Sequence, residues 1–229
     1  MHIPDGYLSP QTYIPLAGVF VAIAAVAVKK VKKEVSVKSI PYLGMASAFS
    51  FLVMMFNLPV PGGTTGHAVG SAVIAIIFGP WAAILAVSVA LIIQALIFGD
   101  GGITAIGANC FNMAIFMSFA SYFIFKLINL RSRKPVRIFI AAFISGYASL
   151  VLASIVTATE LGIQPLIATS MDGKPLYCPY DLSIAIPAMA AGHILLFGII
   201  EGLITAFIVQ YFFKSEAGMI YALNKSKHE

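Results

Sequence analysis

Long apolar runs, each closed by a short polar or basic stretch, repeat along the whole chain. A helix needs about 20 predominantly apolar residues to cross a bilayer. Seven such segments are expected, at about 11–28, 38–57, 67–80, 81–98, 104–128, 138–161 and 183–213. The polar punctuation between them is KKVKK (29–33), LPVPGGTTG (58–66), GDGG (99–102), RSRKPVR (131–137) and a long loop over 162–182. The third segment is anomalous: His67 to Gly79 is 13 residues, about 20 Å of helix against a hydrocarbon core of about 30 Å. Non-helical backbone at that depth must be buried in protein or line a cavity. GGTTGH is therefore expected in an enclosed pocket, with His67 opening helix 3.

Composition agrees with this pattern. Of 229 residues, 60% are hydrophobic and 10% charged, and the mean hydropathy is +0.96, whereas a soluble domain is about 25% charged. The expected fold is all-α, one polytopic membrane domain over residues 1–229 in contact with lipid along its length. The clusters at 29–38, 126–137 and 214–227 hold 13 of the 14 Lys and Arg residues, leaving Lys174 outside them. The positive-inside rule then sets the amino terminus outside and the carboxyl terminus in the cytoplasm. The net charge of +5 comes from these loops, so it speaks for orientation, not for nucleic-acid binding. Residues 1–11 lack Lys and Arg, so the first run does not read as a cleaved signal. The pair Cys110 and Cys178 gives no disulfide framework or thiolate metal site.

The chain begins MHIPDG. In an amino-terminal Xaa-His, the free amine, the His2 amide and the His2 imidazole Nδ1 can chelate one metal through fused five- and six-membered rings. Planar nitrogen ligation points to Ni(II) or Cu(II) over tetrahedral Zn(II). The bulk of His2 favours retention of Met1, and Pro4-Asp5-Gly6 is a turn signal that stiffens the segment. An incidental terminal histidine is the alternative. His67 lies on the same outer side, and a helix amino terminus would hold its imidazole neutral. Flanking Gly62, Gly63 and Gly66 permit close backbone approach. One imidazole would fill the fourth in-plane position, although a hydrogen-bonded capping histidine also fits the residues. His193 is an ionisable group within a crossing, a pocket partner or a packed histidine; His228 lies in the polar tail. Asp5, Thr64, Thr65, Asn109, Glu160 and His193 are candidates to support the ligands or line the pocket. Glu201 is expected to face the bundle interior or the inner interface, and Asn112 shares a face with Asn109. GxxxxGK[ST], HExxH and GxSxG do not occur, so uphill movement would need ion coupling or an energising partner.

MHIPDGYLSP (1–10) and GGTTGHAVGSA (62–72) resemble the NikM/CbiM family, the substrate-capture components of energy-coupling factor transporters for nickel and cobalt. The resemblance runs along the whole chain. It implies a six-helix capture core preceded by one extra helix, and an amino-terminal segment tucked into that core. It implies metal binding by the Met1 amine, the His2 amide and imidazole, and the His67 imidazole. It further implies a transmembrane coupling subunit, two cytoplasmic ATPase subunits, a small accessory membrane subunit in some systems, and a prokaryotic cell membrane. Pro-Asp-Gly and His-Ala-Val-Gly look more like nickel members, while cobalt members often carry a serine-rich loop with His-Pro-Thr-Gly; Ni(II) is the expected substrate and Co(II) the alternative. A membrane enzyme would require an open metal position and an acid–base pair. A stand-alone ion-coupled carrier would require ionisable groups along a central path, for which Glu201 and His193 are the candidates.

Overall fold

In the computed structural model, which describes residues 1–34, 40–60 and 64–224, the apolar runs become helices. Five are long and apolar enough to cross a membrane: α1 Pro10–Glu34, α4 Pro80–Phe98, α5 Ile106–Asn129, α6 Pro135–Ile167 and α7 Leu182–Ser215. Two shorter apolar helices lie between α1 and α4: α2 Ile40–Met54 and α3 Ser71–Phe78. A short hairpin, β1 Leu58–Val60 against β2 Thr64–Gly66, is antiparallel with Leu58 opposite Gly66. A final short helix, α8, covers Tyr221–Asn224. Helices α2, α4, α5 and α7 begin and end within a few residues of the apolar runs at 38–57, 81–98, 104–128 and 183–213. Helix α1 runs on through its lysines to Glu34, and α6 continues through Gln164 to Ile167.

Local chemistry sets the ends. Pro10, Pro80 and Pro135 each occupy a first helical position, where the missing N–H has no intrahelical acceptor to lose. Gly79 and Gly99, with φ of 91° and 67°, bracket α4. Asp181 caps α7 by accepting from Ser183 N at 2.9 Å and Ile184 N at 3.3 Å.

Exposed helix faces are hydrocarbon, as at Ile97, Leu127, Val136 and Phe207, which suits lipid as the surrounding medium. Helices approach closely where residues are small: a Cβ on Gly107 of α5 would stand 2.4 Å from Ala17 Cα of α1, and one on Gly146 of α6 would stand 2.6 Å from Thr205 Oγ1 of α7. In α1 only Thr12 and Ala27 are buried, so this helix lies at the periphery.

Helix 3 differs from expectation. It starts at Ser71, not His67, because Gly70 takes φ 75°, a left-handed conformation that breaks the helix. Residues 67–70 form an irregular, fully enclosed strip. An open strip rises up to about 3.3 Å per residue, so the short segment gains reach that 13 helical residues would lack. Its polar backbone is satisfied by side chains. Glu201 of α7 accepts from Val69 N at 2.7 Å and from Gly70 N at 3.0 Å. Ser50 Oγ donates to Val69 O at 2.8 Å. Glu201 is therefore in the bundle interior, its carboxyl at the positive end of α3.

Candidate metal centre

The amino-terminal segment enters the helix bundle. Met1 and Ile3 are fully enclosed and His2 nearly so. The Met1 amine donates to Thr65 O on β2, which brings residue 1 to the strand that precedes His67. Ile3 is clamped from both sides by Asn109 of α5: its N–H donates to Oδ1 at 2.9 Å and its carbonyl accepts from Nδ2 at 3.1 Å. The same carbonyl accepts from Gly102 N at 2.8 Å. Asp5 accepts from Ile103 N at 3.0 Å and from Thr104 N at 2.8 Å, with Thr104 Oγ1 adding a third bond. These bonds hold its carboxyl below the ordinary carboxylate range. Beyond the turn, Ser9 N donates to Gln164 Oε1 at 2.9 Å.

His2 and His67 meet face to face, with ring centroids 4.5 Å apart and planes at 26°. His2 Nε2 lies 3.2 Å from Gln94 Oε1, an acceptor, so this nitrogen carries the proton. His2 Nδ1 then bears the lone pair; it makes no hydrogen bond and lies 3.4 Å from Asp100 Oδ1. His67 Nδ1 lies 3.0 Å from Ala68 O and must be the protonated nitrogen. His67 Nε2 is buried without a hydrogen bond. Each ring thus presents one bare nitrogen.

Burial also keeps these groups neutral. It lowers the Met1 amine to about 4, with Asp100 pulling the other way. It lowers His2 to about 3, helped by the nearby amino terminus. His67 is enclosed as completely. The expected source of its neutrality, a helix amino terminus, gives way to desolvation, because His67 stands four residues before α3. Asp100 is raised by its partial burial, against the pull of the amino terminus.

The remaining candidates divide. Asn109 and Asp5 hold the amino-terminal segment as supports. Thr65 contributes its carbonyl oxygen. Thr64 belongs to β2, and its side chain lies outside the described atoms, as do Gly62, Gly63 and His228. His193 is fully buried with Nδ1 2.7 Å from Met189 O, one turn back in α7. Its ring lies 5.4 Å from Phe197, and Phe197 packs onto Gly66, where a Cβ would fall 2.0 Å from the ring. His193 therefore stands behind the hairpin, its Nδ1 turned to its own helix. Glu160 is not brought to the rings; it accepts from Asn112 Nδ2 at 2.7 Å. Cys110 and Cys178 are free and buried.

Two residues enter the site that sequence reasoning passed over as site residues, Gln94 and Asp100. Gln94 was legible as the amide interrupting ALIIQALIF (90–98). The helices are wider at these positions: Gln94–Phe98, Cys110–Phe116 and His193–Phe197 are π-helical, a local form frequent at functional sites. Among the described residues no three His, Cys, Asp or Glu side chains cluster as a metal set.

Enclosed imidazole nitrogens without hydrogen bonds, beside a neutral terminal amine and within a bundle of apolar helices, make a candidate metal site in a helical membrane protein. The chain belongs to the CbiM family: the family described as the cobalt uptake substrate-specific transmembrane region matches residues 2–219. The fused nickel transport protein NikMN of Rhodobacter capsulatus is 44% identical over 96% of this chain and 64% of its own length. The probable fused nickel transport protein LarMN of Lactiplantibacillus plantarum is 46% identical over 92% of this chain and 64% of its own. The chain thus spans just under two thirds of these fused relatives. The putative metal transport protein MJ1569 of Methanocaldococcus jannaschii is 46% identical over 92% of this chain and 90% of its own. A solved structure described as a truncated transition-metal transporter superposes with a TM-score of 0.88 at 47% identity, covering 94% of this chain and 99% of that one. The protein is a multi-pass membrane protein of the CbiM type.

Proposed function

We propose that this chain captures Ni(II) outside a prokaryotic cell and presents it to an energy-coupling factor importer. The metal is held in a plane by the Met1 amine, the deprotonated His2 amide, His2 Nδ1 and His67 Nε2. One observation carries the reading: the ring nitrogens that His2 and His67 leave without a hydrogen bond are the ones this chelate requires, while the third such nitrogen, His193 Nε2, stands behind the hairpin. Nδ1 is the only His2 nitrogen that closes a six-membered ring with its own amide. The hydrogen bonds to Gln94 and Ala68 fix the matching tautomers. Asn109 and Asp5 hold the segment in register. A planar nitrogen set favours Ni(II), with Co(II) as the second substrate.

Topology supports the same direction. The amino-terminal segment, the hairpin, the 99–105 turn and Gln164 gather at one end of the bundle. Tyr221 reaches Glu34 Oε2 at 3.2 Å and packs on Gly79, bringing α8, which follows α7, and the ends of α1 and α3 together at the other. That end carries Lys29, Lys30, Lys32, Lys33 and Lys214, which favours seven crossings with the amino terminus outside. The family resemblance supplies the partners: a transmembrane coupling subunit, two ATPase subunits and, in some systems, an accessory membrane subunit.

Purified protein in detergent is expected to bind about one Ni(II). One extra residue before Met1, or His2→Ala, abolishes binding, and His67→Ala weakens it severely. Isothermal titration with each variant measures this; undiminished binding after the amino-terminal extension overturns the chelate.

A further inference from the structure

The three ligand residues are enclosed, so Ni(II) must pass from water into a dry site. The side chain of His2 is 3% exposed, while that of Asp100 is 25% exposed and its Oδ1 lies 3.4 Å from His2 Nδ1. Asp100 thus touches both the solvent and a ligand. Its position is built: Gly99 and Gly101 on either side take φ of 67° and 91°, and its N–H donates to Gln94 O at 3.0 Å. A Cβ on Gly101 would come within 3.3 Å of the His2 ring and 3.1 Å of Asn109 Nδ2, so the turn lies directly on the site. Asn57 Nδ2 reaches Oδ1 at 3.5 Å, a long contact, so no strong bond from the protein holds this carboxylate away from the site. The other carboxylate at this end of the amino-terminal segment, Asp5, is engaged by Ile103 and Thr104.

Charge gives this carboxylate a second task. Ni(II) brings two positive charges, the His2 amidate cancels one, and the amine and both imidazoles are neutral. A net positive charge would remain in a low-dielectric site, which is costly unless paired. Resting on the chelate reading above, we propose that Asp100 is the entry and counter-charge residue of this site. It draws the hydrated divalent cation to the mouth, passes it to the nitrogens and neutralises the loaded centre. The transfer runs downhill because a carboxylate suits hard, hydrated cations and imidazole suits nickel.

The test is stopped-flow loading of the full chain in detergent with NiSO4, followed by the absorbance of the planar nickel–amidate centre. Asp100→Asn is expected to slow association roughly tenfold at low salt, at the lower end of electrostatic steering effects, and to weaken affinity. The spectrum of the loaded centre is unchanged, and Asp100→Glu recovers most of the rate. The wild-type rate falls more steeply with added salt than that of Asp100→Asn. Wild-type rate and affinity in Asp100→Asn overturn the proposal. An altered spectrum with an unaltered rate also overturns it, since Asp100 would then only shape the site. If Asp100→Asn does not fold, the wild-type salt dependence decides: a loading rate indifferent to ionic strength overturns it. A wild-type protein that binds nickel without a planar nitrogen spectrum defeats the chelate reading and this one together. A planar spectrum with normal loading in Asp100→Asn defeats this one alone.

Discussion

Gln94 decides which His2 nitrogen is left without a hydrogen bond. Its Oε1 accepts from Nε2, so Nδ1 is bare by exclusion, and a ring free to change tautomer would spend part of its time with the wrong nitrogen protonated. Gln94→Leu is expected to weaken nickel binding about 10- to 100-fold, the range found when a supporting partner of a metal-bound histidine is lost; titration calorimetry measures it. Gln94→Glu, which keeps an acceptor, should lose much less. Gly102 has a different role at the same scale. A Cβ there would fall 2.4 Å from Asp5 N and 2.7 Å from Pro4 C, against backbone that cannot swing aside. Gly102→Ala should displace residues 3–5 at a cost of roughly 1–3 kcal/mol, read as weaker nickel affinity with little change in helix content by circular dichroism.

At the scale of elements, an irregular strip inside a membrane bundle is made tolerable by Glu201. The carboxylate satisfies the N–H groups of Val69 and Gly70 and so fixes the path from His67 into α3. Glu201→Leu leaves those groups without partners, at roughly 1–3 kcal/mol each. Its thermal midpoint in detergent should drop and His67 should lose its fixed position, weakening nickel binding as well. Glu201→Gln keeps one acceptor and should fall between. The helices themselves were legible because a run of about 20 apolar residues has few other solutions in lipid. His2, His67, Asp5 and Asn109 were legible as residue types whose chemistry needs a purpose. The hairpin and the true start of α3 were not, because they depend on Gly70 adopting φ 75° and on Glu201, 131 residues away in sequence from Gly70. Glu160 looked equivalent to Asp5 as an outer acidic group. Only packing separates them, giving Glu160 to Asn112 and Asp5 to the turn before α5. Asp100 was hidden within GDGG, a stretch that reads as a plain turn until His2 is folded onto it.

For the whole molecule, the amino-terminal segment acts as a tie. Residues 1–9 bond to β2 through Met1, to the 99–105 turn through Ile3 and Asp5, to α5 through Ile3, to α6 through Ser9 and to Cys178 through Tyr7. Loading the centre should therefore stabilise the bundle, by about 2.7 kcal/mol at a free nickel concentration 100-fold above Kd. The tie also makes stability depend on pH through Asp5. Its carboxyl is lowered from 3.8, because the folded state binds the ionised form through Thr104 and Ile103. A group whose folded value lies below its unfolded one contributes stability above the unfolded value and loses it as pH falls through the folded one. Asp5→Asn removes the charge at every pH. The nickel-free wild type should thus melt above Asp5→Asn at pH 7, and the gap should close as pH is taken below 3.8 and through the lowered value. Thermal melts of both proteins by intrinsic fluorescence follow this; a gap that stays constant across the acid range would mean that Asp5 acts through its shape and not its charge.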